Sequence, residues 1–375
     1  MLFYTYASTK RFDDFSESTL RRRMSVKIPG VSHLTTMLEV ARRANVSLST
    51  VSYALNGTRP ISEKTRQHIF EVMDELGYRP NILARGLASK RSKIIALLFP
   101  TPERGLGITE LEFVTSAAEI ASELGYNLIL WPSELRDIGE LRKFTQQGLV
   151  DGVILMEVRL NDERVNLLRR INFPFSMIGR CEDLTDISYT DVDFEQTAYD
   201  IVNYLTKLGH THIGFLNQSK STYDQGYGPA VRTQTGFEKA MRIGGLEAVV
   251  RFCKTAPQSG YEAFNELMDE HPDLTSLVVM NERAMPGIIQ AILDRGWTIP
   301  DDFSLVGVVS SAHVAEMMRP PLTTMDVQTR ELGHLGVELL INQLDGQVAQ
   351  NHQVLVPCKL TIRGSSGICR RNSPA

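Results

Sequence analysis

Between residues 47 and 65 the chain carries Ser47, Leu48, Ser49, Thr50, Tyr53 and Asn56, then Ser62 and Thr65. Apart from Leu48 these side chains end in hydroxyl or amide groups, and they gather near places where helices can start. A helix that presents such an end to the major groove can hydrogen-bond base edges and phosphate oxygens. The surrounding stretch, residues 36–93, holds ten Lys/Arg against five Asp/Glu, about +5 in a chain whose total is −4. That local excess suits contacts to a phosphate backbone.

Three short helices are needed to hold those groups. Thr36 and Glu39 have the T-x-x-E spacing of a capping box, and Met37, Val40, Ala41 and Ala44 repeat at helical intervals behind them. Asn45 and Val46 supply a turn. Ser47 caps a second helix over residues 48–56 in which Val51 and Leu55 face inward. Gly57 ends it, Ser62 offers a new cap, and Ile69, Val72, Met73 and Leu76 form the apolar stripe of a third helix that stops at Leu76-Gly77 with Pro80 close behind.

The order V-A-R-R-A-N-V-S-L-S-T-V-S-Y-A-L-N-G, then S-E-K-T-R, then L-G-Y-R-P-N-I-L-A-R-G-L resembles the head and hinge of the lactose-repressor and galactose-repressor family of bacterial transcription factors. The resemblance covers residues 36–367, densest in the head. It implies that residues 81–89 form a hinge helix that folds on the operator, pairs with its dimer mate and inserts Leu87 into the minor groove, with Leu83 and Ala84 on the same side. About two turns of helix are too short to persist alone in water, and a leucine wedge that unstacks a base step bends DNA. The other reading is that Leu87 packs on the body.

Beyond Lys93 strand and helix alternate. Apolar runs at 94–99, 127–131, 152–156, 212–216, 249–252, 276–280 and 303–307 read as strands buried on both faces, separated by helical segments such as 111–124 and 134–146. Leu124-Gly-Tyr126 and Leu208-Gly-His210 each close a helix just before a strand, so the architecture is duplicated. The fold expected is therefore an all-α helix-turn-helix head with a hinge helix, joined to an α/β body of two doubly wound parallel-sheet halves. The resemblance implies that this body is the one found in periplasmic binding proteins, with the ligand at the loops beyond the strand ends. The boundaries expected are 36–80 for the head, 81–93 for hinge and linker, 94–191 with 325–355 for one half, 192–324 with 356–367 for the other, and 368–375 for a tail. Residues 320–324 resemble the return crossing between halves, and residues 356–367 the last strand. The body carries about −12, which confines any DNA contact to the head.

Four body residues are expected to meet an effector. Arg180 follows the strand at 175–179 and stands where the resemblance places an arginine that hydrogen-bonds sugar hydroxyls; an ion pair is the alternative. Asp193, in Y-T-D-V-D-F, is followed by Phe194 rather than asparagine, so an N-cap role competes with ligand contact. Glu282 replaces an aspartate that accepts sugar hydroxyls, and Arg232 lies four residues before Gly236, one further than the family's arginine, whose place Thr233 takes. Ser310-Ser311 replace frequent aspartates, so a less acidic pocket is expected.

Other chemistries find little footing. Gly105-Leu-Gly107-Ile-Thr-Glu110 has glutamate where a dinucleotide fingerprint needs its third glycine, and neither a G-x-S-x-G nor a phosphate loop is present. His210, His212, His313 and His334 lack metal-ligand spacing, and Cys181, Cys253, Cys358 and Cys369 lack a C-x-x-C or a disulfide framework. Residues 1–35 are basic but have no apolar run of signal-peptide length; they are expected to be disordered or dispensable, with Met24 a candidate start. The reading is a cytoplasmic regulator, a repressor, that binds double-stranded pseudo-palindromic operator DNA as a homodimer under control of a carbohydrate effector. Neither a cofactor, a metal nor a membrane is expected. The rivals are a sugar-sensing module without a DNA role and a sugar-active enzyme.

Overall fold

The computed structural model describes residues 35–56, 59–78, 91–100, 107–133, 138–347 and 352–370. Contacts divide the chain into one unit ending at Asn81 and a second beginning at Ile82. In the first unit the local signals become geometry. Helix α1, Met37–Arg43, opens with a complete capping box: the Glu39 N–H donates to Thr36 Oγ1 at 3.3 Å and the Thr36 N–H to Glu39 Oε2 at 2.7 Å. Asn45 turns the chain at φ 53°, a left-handed conformation that asparagine tolerates well. Helix α2, Leu48–Asn56, starts from Ser47, whose Oγ accepts the Thr50 N–H at 3.1 Å. Helix α3, Glu63–Glu75, starts from Ser62 in the same way through the Thr65 N–H. It ends with Gly77 at φ 61° and the Tyr78 N–H on the Met73 carbonyl, a Schellman closure. Val40, Ala41, Ala44, Val51, Ala54, Ile69, Val72, Met73 and Tyr78 form the buried core, with Leu55 and Leu76 packed at its edge.

In the second unit most apolar runs become inner strands because helices cover both faces of each sheet. The runs at 127–131 and 249–252, expected to be buried on both faces, are instead the edge strands of their sheets, half-buried at 249–252 and with Ile129 and Leu130 exposed, because an edge has a neighbour on one side only. Strands β1 (Ile94–Pro100), β2 (Asn127–Ser133), β3 (Gly152–Leu155), β4 (Phe175–Ile178) and β5 (Tyr189–Val192) alternate with helices α4 (Ile108–Glu123), α5 (Ile138–Gln146) and α6 (Glu163–Arg170). The second series is α7 (Phe194–Lys207), β6 (Ile213–Asn217), α8 (Lys220–Asp224), α9 (Gly228–Ile243), β7 (Val249–Phe252), α10 (Pro257–Glu270), β8 (Ser276–Val279), α11 (Met285–Asp294), β9 (Ser304–Ser310), α12 (Ala312–Met317) and β10 (Thr323–Asp326). Helix α13 (Thr329–Leu344) and strands β11 (Gln353–Val356) and β12 (Lys359–Thr361) finish the unit.

The strand orders are β11-β5-β4-β3-β1-β2 and β12-β10-β9-β8-β6-β7, parallel throughout except where β12 pairs antiparallel with β10. The same order, 2-1-3-4-5, thus appears in both lobes. The chain passes between lobes after β5, between β10 and α13, which packs on the first lobe, and between β11 and β12. The expected last strand at 356–367 is not one strand. Val356 ends β11 in the first sheet, and only Lys359–Thr361 pairs with β10, because the chain changes lobes at 357–358. Asp326 ties that region together, accepting from Thr361 Oγ1 at 2.7 Å and Arg363 Nη2 at 3.2 Å.

Close approach decides one helix crossing. A Cβ on Gly287 would sit 1.7 Å from the Pro257 carbonyl oxygen, so α10 and α11 meet backbone to backbone there. The four cysteines are buried and free. Among the described residues, no helix is long and apolar enough to cross a membrane.

Candidate functional site

Helix α2 buries Val51 and Ala54 and turns the opposite face outward, so Ser47, Leu48 and Ser49 are exposed while Thr50, Ser52 and Tyr53 are half-buried. The hydroxyls are already organised: Ser47 Oγ lies 2.7 Å from both Ser49 Oγ and Thr50 Oγ1. Ser62 Oγ and Thr65 Oγ1 repeat the contact at 2.7 Å. Thr36, Ser47 and Ser62 therefore serve first as caps, and Arg42, Arg43, Arg59, Lys64 and Arg66 of the same unit are exposed. A helix start with spare N–H groups and positive dipole end suits a phosphate oxygen. The Arg59 guanidinium lies 5.4 Å from the Tyr53 ring centroid, an arrangement that fixes the ring at the exposed edge. The Asn56 side chain and Leu83, Ala84 and Leu87 lie outside the described residues.

In the second unit, the carboxyl ends of both parallel sheets open onto one cleft. The first lobe contributes Thr109, Glu110 and Phe113 from the start of α4, Met156 to Val158 after β3, Ile178-Gly179 after β4, and Asp191-Val192 from β5. The second contributes Gln218, Tyr227, Pro229, Thr255, Met280 to Arg283 and Val309.

Glu282, in a 3₁₀ turn after β8, sits at the centre of a clasp between lobes. Its Oε2 accepts from Thr109 Oγ1 at 3.0 Å and from Ser310 Oγ at 3.3 Å, and Thr109 Oγ1 in turn accepts the buried Ser311 N–H at 3.2 Å. Burial pushes the Glu282 carboxyl above its usual range and Glu110 adds to the shift, while the two hydroxyl donors oppose it. Beside the clasp, Val309 adopts φ 52° where the β9–β10 register slips. A β-branched residue in that region is strained, and such strain persists where the surrounding packing over-determines it.

Of the four expected positions Glu282 alone lines the cleft; Arg180, Asp193 and Arg232 are not among its lining residues, whereas Asp191, two residues before Asp193, is. Arg180 Nη1 approaches Asp191 Oδ2 at 3.6 Å, and both side chains are buried. Burial drives the Asp191 carboxyl up to about 7, with Arg180 and then Arg232 pulling it down. Arg232 donates to the carbonyls of Arg180 and Cys181 at 3.0 and 3.2 Å, holding the segment after β4. Asp193 caps α7, accepting the Gln196 N–H at 3.1 Å.

Sequence reasoning missed three contributors. Arg164 and Asp162 form a buried bidentate pair, and Arg164 Nη2 also donates to the Met156 carbonyl at 3.0 Å, shaping the loop that turns Glu157 into the cleft. Glu157, at φ 53°, accepts from Tyr227 across the cleft at 2.8 Å. Glu110 is the third. The less acidic pocket expected from Ser310 and Ser311 is not found, because Glu110, Glu157, Asp191 and Glu282 are brought to the cleft from other elements. The D-x-R spacing of 162–164 and the acids at helix and strand ends carry no periodic signal that would have singled them out.

The model of bacterial regulatory proteins, lacI family, matches residues 36–81, and that of the periplasmic binding protein-like domain matches residues 202–366. The HTH-type transcriptional regulator DegA of Bacillus subtilis (strain 168) is 30% identical over 343 residues, covering 88% of this chain and 98% of its own length. Among solved structures, the lac repressor dimer bound to operator and the anti-inducer ONPF superposes with a TM-score of 0.76 at 25% identity, covering 89% of this chain and 99% of that one. The transcriptional regulator CelR in complex with cellobiose has the same fold, with a TM-score of 0.65 at 24% identity over 88% of this chain and 99% of its own.

Proposed function

The chain belongs to the lacI family of bacterial regulatory proteins, DNA-binding transcriptional regulators with a ligand-binding domain, and on that premise we propose that it is a cytoplasmic repressor that binds a pseudo-palindromic operator as a homodimer and answers to a carbohydrate in the cleft. One observation carries the reading: a helix-turn-helix unit with capped, outward-facing helix starts shares a chain with a two-lobed cleft held shut by side chains of both lobes. The lac repressor structure contains operator and a dimer, and CelR was solved with cellobiose; both supports act by analogy.

A division of labour is part of the proposal. Ser49, Thr50 and Tyr53 are proposed to reach base edges, with Thr36, Ser47, Leu48, Asn56, Ser62 and Thr65 positioning the helices or meeting phosphates. The family resemblance implies an arginine at the position of Tyr53, and one phenolic hydroxyl cannot take a guanine edge bidentately, so discrimination at that base should differ by about 1–3 kcal/mol. Leu83, Ala84 and Leu87 are proposed on the resemblance alone to form the hinge wedge, within boundaries of 36–80 for the head, 81–93 for the hinge and 94–367 for the body. In the cleft, Asp191 and Glu282 are the proposed ligand contacts. Arg180 polarises Asp191, Arg232 positions the Arg180 segment, and Asp193 remains a cap.

Coupling then has a physical form. A ligand that inserts between Thr109 and Glu282 alters the clasp, and it shifts operator affinity only by the difference in its own affinity for the two arrangements of the lobes. Selection from random DNA followed by sedimentation of the protein with the selected site tests the reading. The expected result is a two-fold related site bound by two protomers; an asymmetric site bound by one protomer would refute it.

A further inference from the structure

We propose that the small molecule taken by the cleft bears a cationic amino group, as an amino sugar does, and is neither a neutral sugar nor a sugar phosphate. This rests on the cleft being the effector site. Its walls present four carboxylates, Glu110, Glu157, Asp191 and Glu282, and one guanidinium, Arg283. Asp191 is 4% exposed, and its Oδ1 accepts the Val192 N–H at 2.9 Å, while Oδ2 has no hydrogen-bond donor. Arg180 Nη1, at 3.6 Å from Oδ2, is itself without an acceptor. Asp191 lines the cleft, and a buried carboxylate whose second oxygen has an ion-pair partner at 3.6 Å but no hydrogen-bond donor is costly; a group that brings N–H and charge together removes that cost.

An ammonium group offers three donors and a positive charge, whereas a hydroxyl offers one donor and no charge. Glu282 commits Oε2 to Thr109 and Ser310, so a cation in the cleft beside it would add a charge interaction without displacing either bond. The same balance of charge disfavours a phosphate, which would meet carboxylates from both lobes. Burial raises Asp191 to about 7 against the pull of Arg180 and Arg232, and burial also raises Glu282, so a bound cation would help to hold both ionised. Phe113 and Tyr227 border the same space and supply ring surface that tolerates a cation and the apolar face of a sugar ring.

Isothermal titration of the full-length protein with matched trios tests the assignment: glucosamine, glucose and glucose 6-phosphate, and the galactose and mannose equivalents. The amine of at least one trio should bind roughly tenfold tighter than its neutral counterpart, the scale of one charge-assisted hydrogen bond, and the phosphate weakest. Asp191→Asn and Glu282→Gln should each erase the preference; the second variant, at a half-exposed turn, covers the case in which the first fails to fold. A neutral or phosphorylated member that binds as tightly as its amine overturns the charge assignment while leaving the cleft as the effector site. An amine preference that survives both variants places the ligand elsewhere and overturns the cleft reading itself, and the absence of binding by every amine overturns the assignment.

Discussion

Ile69→Ala separates the two units most sharply. Ile69 is 0% exposed and packs among Val40, Val51, Val72 and Met73, so no surrounding loop can close over the space it leaves. Truncating a buried isoleucine costs about 2–5 kcal/mol. A unit of roughly 45 residues has only about 2–7 kcal/mol of total stability at 0.05–0.15 kcal/mol per residue. The substitution therefore consumes most of what holds the three helices together. The caps at Thr36, Ser47 and Ser62, worth about 1 kcal/mol each, cannot make up the difference. The two parallel-sheet lobes have their own cores and share none of these contacts. In anisotropy titrations against a selected operator, affinity should fall about twofold where the loss equals the stability of the head, and roughly tenfold more for each further 1.4 kcal/mol. Calorimetric melting of the lobes and ligand affinity in the cleft should stay as in the wild type. Unchanged operator affinity, or lobes that melt earlier together with the head, would refute the reasoning.

Other perturbations address the lobes. The folded Asp191 carboxyl titrates near 7 against its usual 3.8, so between those values the folded protein keeps a proton the unfolded chain has lost; the resulting stability is complete below about 4 and disappears as pH rises to 7. Its slope approaches about 1.4 kcal/mol per pH unit, and Asp191→Asn should flatten urea-unfolding stability across that window; identical pH profiles would show that the carboxyl is ionised throughout. Thr109→Val removes the hydroxyl that bridges Glu282 and the Ser311 N–H, a loss of about 1–3 kcal/mol for the closed cleft that small-angle scattering should register as a larger radius of gyration, whereas an unaltered radius would mean the clasp is incidental. Gly287→Ala places a methyl 1.7 Å from the Pro257 carbonyl oxygen and should cost about 1–3 kcal/mol, lowering Tm by about 2–12 °C; a Tm within one degree of wild type would mean that α10 and α11 cross differently.

Local signals proved legible where a single residue settles its own surroundings. Thr36 with Glu39, Ser47, Ser62 and Asn45 did what their chemistry allows within three or four residues, and the apolar runs at 94–99 and 276–279 became strands because nothing but a doubly covered sheet can bury them. Residues 356–367 misled because apolar content does not say which lobe a residue joins; the change of sheet at 357–358 is decided by pairing partners at Tyr189 and Thr324, more than thirty residues away along the chain. The cleft was only half legible. Glu282 was visible, but Glu110 and Glu157 are brought to it by topology and by the buried Arg164–Asp162 pair, which no spacing announces. Arg232 and Asp193 had the right residue types at nearly the right positions, yet their polar atoms are committed to backbone carbonyls and to a helix start.

The central claim is that one small molecule in the cleft controls DNA binding by the head. Operator affinity of the full-length protein should be measured by anisotropy with and without a saturating concentration of whichever ligand titration identifies, beside Glu282→Gln, in which ligand contact is weakened. The account predicts a change of roughly 5- to 150-fold in the wild type, corresponding to about 1–3 kcal/mol of coupling, and a much smaller one in the variant at the same ligand concentration. Equal operator affinity with and without a ligand demonstrably bound in the cleft would contradict it.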